Sequence, residues 1–158
     1  MIFVTIGTQL PFDRLIKIID NLAPQLNEEI VAQVYQCGFT PKNIKTVDFL
    51  APDEFNTPFN KARLIISHAG MGTILSALQK DKPIIVFPRI AALGEHRSEH
   101  QLATARRLKE LGVVNVAMDE EELTSMLLNG NQTIHQQHIG NSASTSLIQS
   151  IKDFIDRS

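Results

Sequence analysis

The residues best suited to chemistry lie in one short turn, Ser-His-Ala-Gly-Met-Gly-Thr at residues 67–73, which separates two apolar runs. Gly70 and Gly72 would permit positive φ and a close approach of the backbone to a ligand. A helix that begins here would point its N-terminal N–H groups at the same spot, and Thr73 would add a hydroxyl. His68, at the end of the first run, would add an imidazole donor. The turn therefore predicts an anion site, most often one for phosphate.

These residues alone do not exclude simpler explanations of the turn. The glycines could merely turn the chain, because a single G-x-G is weak evidence, and His68 could be a hydrogen-bonded core residue. The stretch has neither the Gly-Lys-Ser/Thr of a P-loop nor the G-x-G-x-x-G of a dinucleotide fold. Ser67 lacks the G-x-S-x-G elbow and would point away from His68 in a strand, which excludes a serine hydrolase.

A second polar cluster, Glu-His-Arg-Ser-Glu-His-Gln, occupies residues 95–101. It suits either a metal ion or a set of hydrogen bonds to a hydroxyl-rich ligand. His96 and His100 have the i, i+4 spacing of zinc-binding pairs, but no H-E-x-x-H pattern is present, and we expect no metal. The alternative is a solvated helix start in which Ser98 is the N-cap.

Length and composition describe one ordinary globular domain of 158 residues, 43% hydrophobic and 20% charged. A net charge of −2 argues against nucleic acid as a partner. Cys37 is the single cysteine, so an internal disulfide is excluded, as expected for a reducing cytoplasm. The chain shows no basic leader and no apolar run of the ~20 residues that span a bilayer, so we expect membrane association only through a partner or a surface helix.

The hydrophobic pattern alternates strands and helices along the whole chain. Strands are expected at residues 2–6, 30–35, 46–50, 64–66, 84–87 and 113–116. Helices are expected from residue 12 to Pro24, within residues 52–62, after the glycine turn, at residues 102–111 before Gly112, after an Asp119/Glu122 capping box, and at residues 147–155. This alternation predicts a parallel sheet covered by helices on both faces, with ligands at the carboxyl ends of the strands.

Three stretches together resemble a known family: residues 1–16, residues 67–78, and residues 82–112 with their KPIIVFPR and EHRSEHQLATARRLKELG motifs. They are similar to the carboxyl-terminal half of GT-B glycosyltransferases, of the family 28 C-terminal type. Within that group the chain looks like the PssE-like exopolysaccharide and capsule subunits, and like the catalytic subunit of the eukaryotic dolichol-linked UDP-GlcNAc transferase. The resemblance implies a Rossmann-like three-layer α/β fold and one donor-binding domain over residues 1–158.

The same resemblance assigns expected roles to particular residues, with a UDP-sugar as donor and no separate cofactor. Ser76 stands where several relatives carry an acidic residue for the ribose, and a serine can make only a single bond there. The donor diphosphate is expected at Gly7, Thr8, His68, Gly70, Gly72 and Thr73, and the donor sugar at Glu99, His100 and Gln101.

A chain of this length resembles half of an enzyme. The acceptor site and the general base are then expected on a separate, membrane-anchored, PssD-like subunit, which would hold this chain at the cytoplasmic face of the inner membrane near a lipid-linked acceptor. Residues 147–155 are a candidate docking helix, although their apolar stripe is also explained by core packing. The alternative function is a non-catalytic nucleotide-sugar-binding or regulatory module.

Overall fold

The computed structural model of the protein describes residues 1–7, 10–48, 50–96, 98, 100–129, 149 and 153. Its centre is a six-stranded parallel sheet in the order β3-β2-β1-β4-β5-β6. The strands are β1 (Ile2–Thr5), β2 (Ile30–Gln33), β3 (Lys45–Val47), β4 (Leu64–Ser67), β5 (Ile84–Val86) and β6 (Asn115–Val116). The helices are α1 (Asp13–Leu26), α2 (Pro52–Lys61), α3 (Met71–Gln79), α4 (His100–Leu111) and α5 (Glu120–Leu128), with one 3₁₀ turn at Ala91–Leu93.

The central strands are apolar at every position or nearly so because both faces of the sheet are covered. In β4, Leu64 and Ile66 pack with Leu15 of α1 in a core that α5 also joins. Ile65 points the other way and packs with Ile74 of α3 in a second core that includes α2 and α4. The predicted three-layer parallel sheet is therefore confirmed.

Two of the predicted helix ends are confirmed by their hydrogen bonds. Gly112 takes φ +70 directly after α4, and its N–H donates to the carbonyl of Leu108. Asp119 is the N-cap of α5, where its Oδ1 accepts from the N–H of Glu122 at 2.8 Å. The Glu122 carboxylate accepts from the N–H of Met118, one residue before the expected partner.

The expected end of α1 at Pro24 is wrong, because the helix continues to Leu26. A proline inside a helix leaves the carbonyl four residues earlier without its usual donor. Here that carbonyl belongs to Asp20, and it accepts from Nδ2 of Asn43 at 3.0 Å. A side chain from the loop between β2 and β3 therefore replaces the missing helical hydrogen bond.

Several strands are shorter than expected. β2 ends at Gln33 and the chain then turns through Gln36, which has φ +48. β3 begins one residue early and ends at Val47. The expected helix at residues 147–155 lies outside the described residues except for residues 149 and 153. In the described parts of the chain, no helix has the length and apolar character needed to cross a bilayer.

Candidate anion site at the carboxyl ends of β1, β4 and β5

A cavity of about 400 Å³ opens at the carboxyl edge of the sheet. It lies where the strand order reverses between β1 and β4, the place at which open parallel sheets bind ligands. The residues that line it come from the ends of β1, β4 and β5, from the first turns of α3 and α4, and from the loop before α4. They are Ile6, Gly7, Leu10, His68, Gly70, Gly72, Thr73, Arg89, His96 and Gln101.

The imidazole of His68 lies between two glycines at the floor of the cavity. A Cβ added to Gly70 would stand 2.3 Å from Cε1 of the ring and 2.6 Å from Nε2. A Cβ added to Gly7 would stand 3.0 Å from Nε2, and Gly7 also has φ +78. Any side chain at either position would displace the ring, so both glycines are required by the close approach of His68.

The other side of the His68 ring is held by two side chains from the β5–α4 region. Nη1 of Arg89 lies 3.0 Å from Nδ1, and Nε2 of Gln101 lies 3.1 Å from the same nitrogen. A guanidinium only donates, so Nδ1 accepts. The pKa of His68 falls to about 3, first because the ring is buried and then because of the nearby Arg89 and His96. The ring is therefore neutral at physiological pH.

Arg89 is a buried cation, 3% exposed, at the base of the cavity. Its Nη2 donates to the carbonyls of Ile6 and Leu10, both at 2.6 Å. Burial lowers its pKa to about 10, against an opposing effect of Glu95, so it stays charged at neutral pH. Within the described residues its Nε has no hydrogen-bond partner, and no carboxylate forms an ion pair with it. A buried charge in this condition favours an anionic ligand.

The loop that follows Arg89 is fixed to α1 by an ion pair. Arg14 donates to both carboxylate oxygens of Glu95, from Nε at 2.9 Å and from Nη2 at 3.0 Å. Glu95 also accepts from the N–H of Ile90, and Arg14 stacks at 4.5 Å on the ring of Phe87. These contacts hold the loop so that His96 borders the cavity.

The first turn of α3 supplies the remaining wall. Gly70 is its N-cap and has an extended backbone, φ −93 and ψ 126, with no side-chain cap. Gly72 lies within the helix, and a Cβ added there would meet nothing within 4 Å. Neither glycine uses the positive φ that its residue type permits, because the chain enters α3 directly. Gly70 makes room for His68, whereas Gly72 leaves the helix terminus open to the cavity.

The structure brings most of the expected site residues together. Gly7, His68, Gly70, Gly72, Thr73 and Gln101 line the same cavity. Ser76 lies on α3 one turn after Thr73, and His100 is the exposed first residue of α4; neither lines this cavity. Thr8 and Glu99 lie outside the described residues. The ligand roles of all these residues stay predictions.

Sequence reasoning missed Arg89 and gave His96 no role at an anion site. The available signal for Arg89 was a charged residue directly after the buried run at residues 84–87, in the KPIIVFPR motif. Ser67 fits its dismissal as a nucleophile, since it is fully buried and its Oγ donates to the carbonyl of His68. In the described part of the chain, no three His, Cys, Asp or Glu side chains are grouped as metal ligands.

Comparison with known proteins gives consistent results at the levels of family and fold. The model of the "Glycosyltransferase family 28 C-terminal domain" matches residues 1–157. The UDP-N-acetylglucosamine transferase subunit ALG13 of Mus musculus is 32% identical over 108 residues, which are 61% of this chain and 9% of that protein. The chain spans about a tenth of the length of the mouse and human relatives it matches.

Solved structures share the architecture. An NMR solution structure of ALG13 superposes with a TM-score of 0.65 and 21% identity, covering 98% of this chain and 96% of that chain. A Streptomyces glycosyltransferase solved with thymidine diphosphate gives a TM-score of 0.56 and 18% identity, covering 99% of this chain and 37% of that one. At these identities the likeness establishes the fold, which is that of the C-terminal domain of GT-B glycosyltransferases.

Proposed function

Because this chain belongs to the glycosyltransferase family 28 C-terminal domain family, we propose that it binds a UDP-sugar and, with a partner subunit, transfers the hexose to an acceptor. The observation that supports this most is the base of the cavity. Arg89, a buried cation with no carboxylate partner among the described residues, and the imidazole of His68 lie beside the N-terminus of α3. All three favour a doubly charged diphosphate over a neutral ligand.

In this proposal the chain stabilises the leaving group. As the bond from the anomeric carbon to the diphosphate breaks, negative charge builds on the UDP oxygens. Arg89 and the α3 terminus offset that charge, and His68 and Thr73 supply directed hydrogen bonds. These groups can neutralise charge of the kind that a divalent ion neutralises in other enzymes. Gln101, with Glu99 and His100 beside it in sequence, would contact the sugar hydroxyls, and Ser76 the ribose.

The partner is proposed from what this cavity lacks. Among the described residues that line it, none is an Asp or a Glu, and we propose that the general base comes from the partner. We propose a membrane-anchored, PssD-like subunit that binds a polyprenyl-linked acceptor at the cytoplasmic face of the inner membrane, in exopolysaccharide or capsule synthesis. The family resemblance and the name "subunit" of the ALG13 relatives support this.

The test begins with isothermal titration of the chain with UDP and with a panel of UDP-sugars. His68→Ala should weaken UDP by about tenfold or more, since it removes a hydrogen bond to a charged group. His100→Ala is the matched control: it should leave UDP affinity unchanged and weaken only the UDP-sugars. Equal affinity of wild type and His68→Ala for UDP would remove the diphosphate role.

The alternative function is a nucleotide-sugar-binding module without catalysis, since a diphosphate site alone would serve either role. Reconstitution with candidate partners and a lipid-linked acceptor separates the two. Transfer of radiolabelled sugar that depends on both subunits supports the transferase. Tight binding of a UDP-sugar without transfer, across all partners and acceptors tried, supports the module.

A further inference from the structure

The hydrogen bonds around His68 determine where its proton lies. Arg89 and Gln101 both direct N–H groups at Nδ1. The orientation of the Gln101 amide is set in turn by its Oε1, which accepts from the backbone N–H of Arg89 at 3.1 Å. Nδ1 of a neutral imidazole that accepts here carries no proton, so the proton is on Nε2.

Nε2 faces the cavity between Gly7 and Gly70. No residue in the described part of the chain accepts a hydrogen bond from it. Among the described residues, the charged and titratable groups that act on the ring are Arg89 and His96, and Glu95 acts on Arg89 in turn. Both neighbours of the ring oppose a second proton, because each carries or can carry positive charge.

We infer that Arg89 and Gln101 are positioning residues that hold His68 in its neutral tautomer, with the proton on Nε2 directed at the bound anion. Where that anion is the diphosphate of a nucleotide sugar, this inference rests on the function proposed above. The site divides two tasks between two residues. Arg89 supplies the positive charge, and His68 supplies a donor of fixed direction whose protonation does not change between pH 5 and 8.

The test is NMR of imidazole nitrogens in the ¹⁵N-labelled isolated chain, which needs neither UDP nor a partner. Wild type should show a pyrrole-type signal for Nε2 and a pyridine-type signal for Nδ1 of His68, unchanged from pH 8 to pH 5. A proton on Nδ1, or titration of His68 with an ordinary midpoint near pH 6.5, would overturn the inference.

Gln101→Glu is the decisive variant, because it keeps the shape of the side chain and replaces the N–H donor with an acceptor. A carboxylate at this position should draw the proton onto Nδ1, and the pyrrole-type signal should move there. A merely structural role of Gln101 would not move the proton. Gln79→Glu, at the exposed end of α3, is the matched control and should leave the tautomer unchanged.

Arg89→Lys tests the other donor, since it retains the charge and loses the fork that reaches Nδ1, Ile6 and Leu10 together. If this variant fails to give a folded amide spectrum, Gln101→Glu still decides the matter. An unchanged tautomer in folded Gln101→Glu would overturn the positioning role of Gln101, and an unchanged tautomer in both folded variants would overturn the inference as a whole.

Titration with UDP is a separate test, which concerns the proposed ligand and not the position of the proton. Addition of UDP to wild type should shift the Nε2–H resonance of His68 downfield, and Gln101→Glu should bind UDP at least about tenfold more weakly. If the tautomer is as inferred and UDP has no effect at any concentration, the placement of the proton is upheld and the proposed function fails.

Discussion

Arg89 donates a hydrogen bond of 3.0 Å to Nδ1 of His68, so a buried cation lies against a half-buried imidazole. A protonated His68 would face this guanidinium with no described carboxylate to offset the repulsion. The pKa of the ring is therefore well below its ordinary value of 6.5. This single contact affects both the ligand chemistry of the site and the stability of the fold.

The first prediction concerns stability against pH. The unfolded state binds a proton at His68 below about pH 6.5, whereas the folded state resists it down to about pH 3. The contribution of the neutral His68 ring to the free energy of unfolding is therefore complete above pH 6.5 and is lost as the pH falls. Between pH 6.5 and 4.5 we expect a loss of about 2 kcal/mol in the free energy of unfolding, measured by urea titration.

His68→Asn should remove most of that dependence on pH, while His100→Asn, at an exposed position, should retain it. This window lies above the range in which the carboxylates Glu28 and Glu29 lose their ion-pair contributions, because the pKa of each is lowered. A profile of His68→Asn identical to that of wild type would show that the ring has the same pKa in the folded and unfolded states.

The second prediction compares two glycines in the same turn. Gly70→Ala places a Cβ 2.3 Å from the His68 ring, which Arg89 and Gln101 hold in place. We expect a loss of about 1–3 kcal/mol in stability and loss of UDP binding together. Both follow from displacement of the ring, and thermal unfolding with titration of UDP measures them.

Gly72→Ala should separate those two effects. Its Cβ meets no atom within 4 Å, and alanine favours a helix over glycine by up to about 1 kcal/mol. We expect an unchanged or raised melting temperature together with weaker binding of UDP, because the methyl group enters the cavity beside the α3 terminus. Full UDP affinity in a stable Gly72→Ala would place the ligand elsewhere.

The third prediction concerns the ion pair between Arg14 and Glu95. Their side chains are 25% and 12% exposed, and the pair is bidentate. A double-mutant cycle of Arg14→Gln and Glu95→Gln should give a coupling energy of about 1–2 kcal/mol in stability. The exposed pair of Lys45 and Glu29 is the control, and its cycle should show little coupling.

Because Glu95 also holds the N–H of Ile90, the same variants should affect the loop that carries His96. UDP affinity should fall in Glu95→Gln even at temperatures where the protein is fully folded. Equal coupling energies for the Arg14 and Lys45 pairs would show that burial adds nothing to the Arg14 pair.

The fourth prediction concerns the N-cap of α5. Asp119→Ala removes the acceptor for the N–H of Glu122 and should cost about 1 kcal/mol in stability. Asp119→Asn keeps an acceptor at the same place and should cost much less. Chemical denaturation at neutral pH distinguishes them, and equal losses in the two variants would assign the effect to charge instead of the cap.

The layers of the fold were predictable because the buried strands consist almost entirely of apolar residues. The run Leu-Ile-Ile at residues 64–66, apolar on both faces, has few alternatives to a central parallel strand. The continuation of α1 past Pro24 was not predictable, since it depends on Asn43, a residue nineteen positions further along the chain whose amide reaches the carbonyl of Asp20.

The site was predictable in its glycines and His68 but not in its cation. Local sequence rules identify glycines at turns and polar residues that follow a strand. Gly70 and His68 give these two signals within three residues of each other. The role of Arg89 depends on the meeting of β1, β4 and β5 in space. A single arginine after an apolar run gives no indication that its side chain turns inward.

The hydrogen bonds from Arg89 to the carbonyls of Ile6 and Leu10 join segments 83 and 79 residues apart. They connect the half of the sheet that begins with β1 to the half that begins with β4. Contacts of such large sequence separation carry a loop-closure cost that local helical contacts do not, and they slow folding. The cavity is therefore absent from any intermediate that contains only one half, and recovery of ligand binding during refolding should lag behind recovery of helical signal.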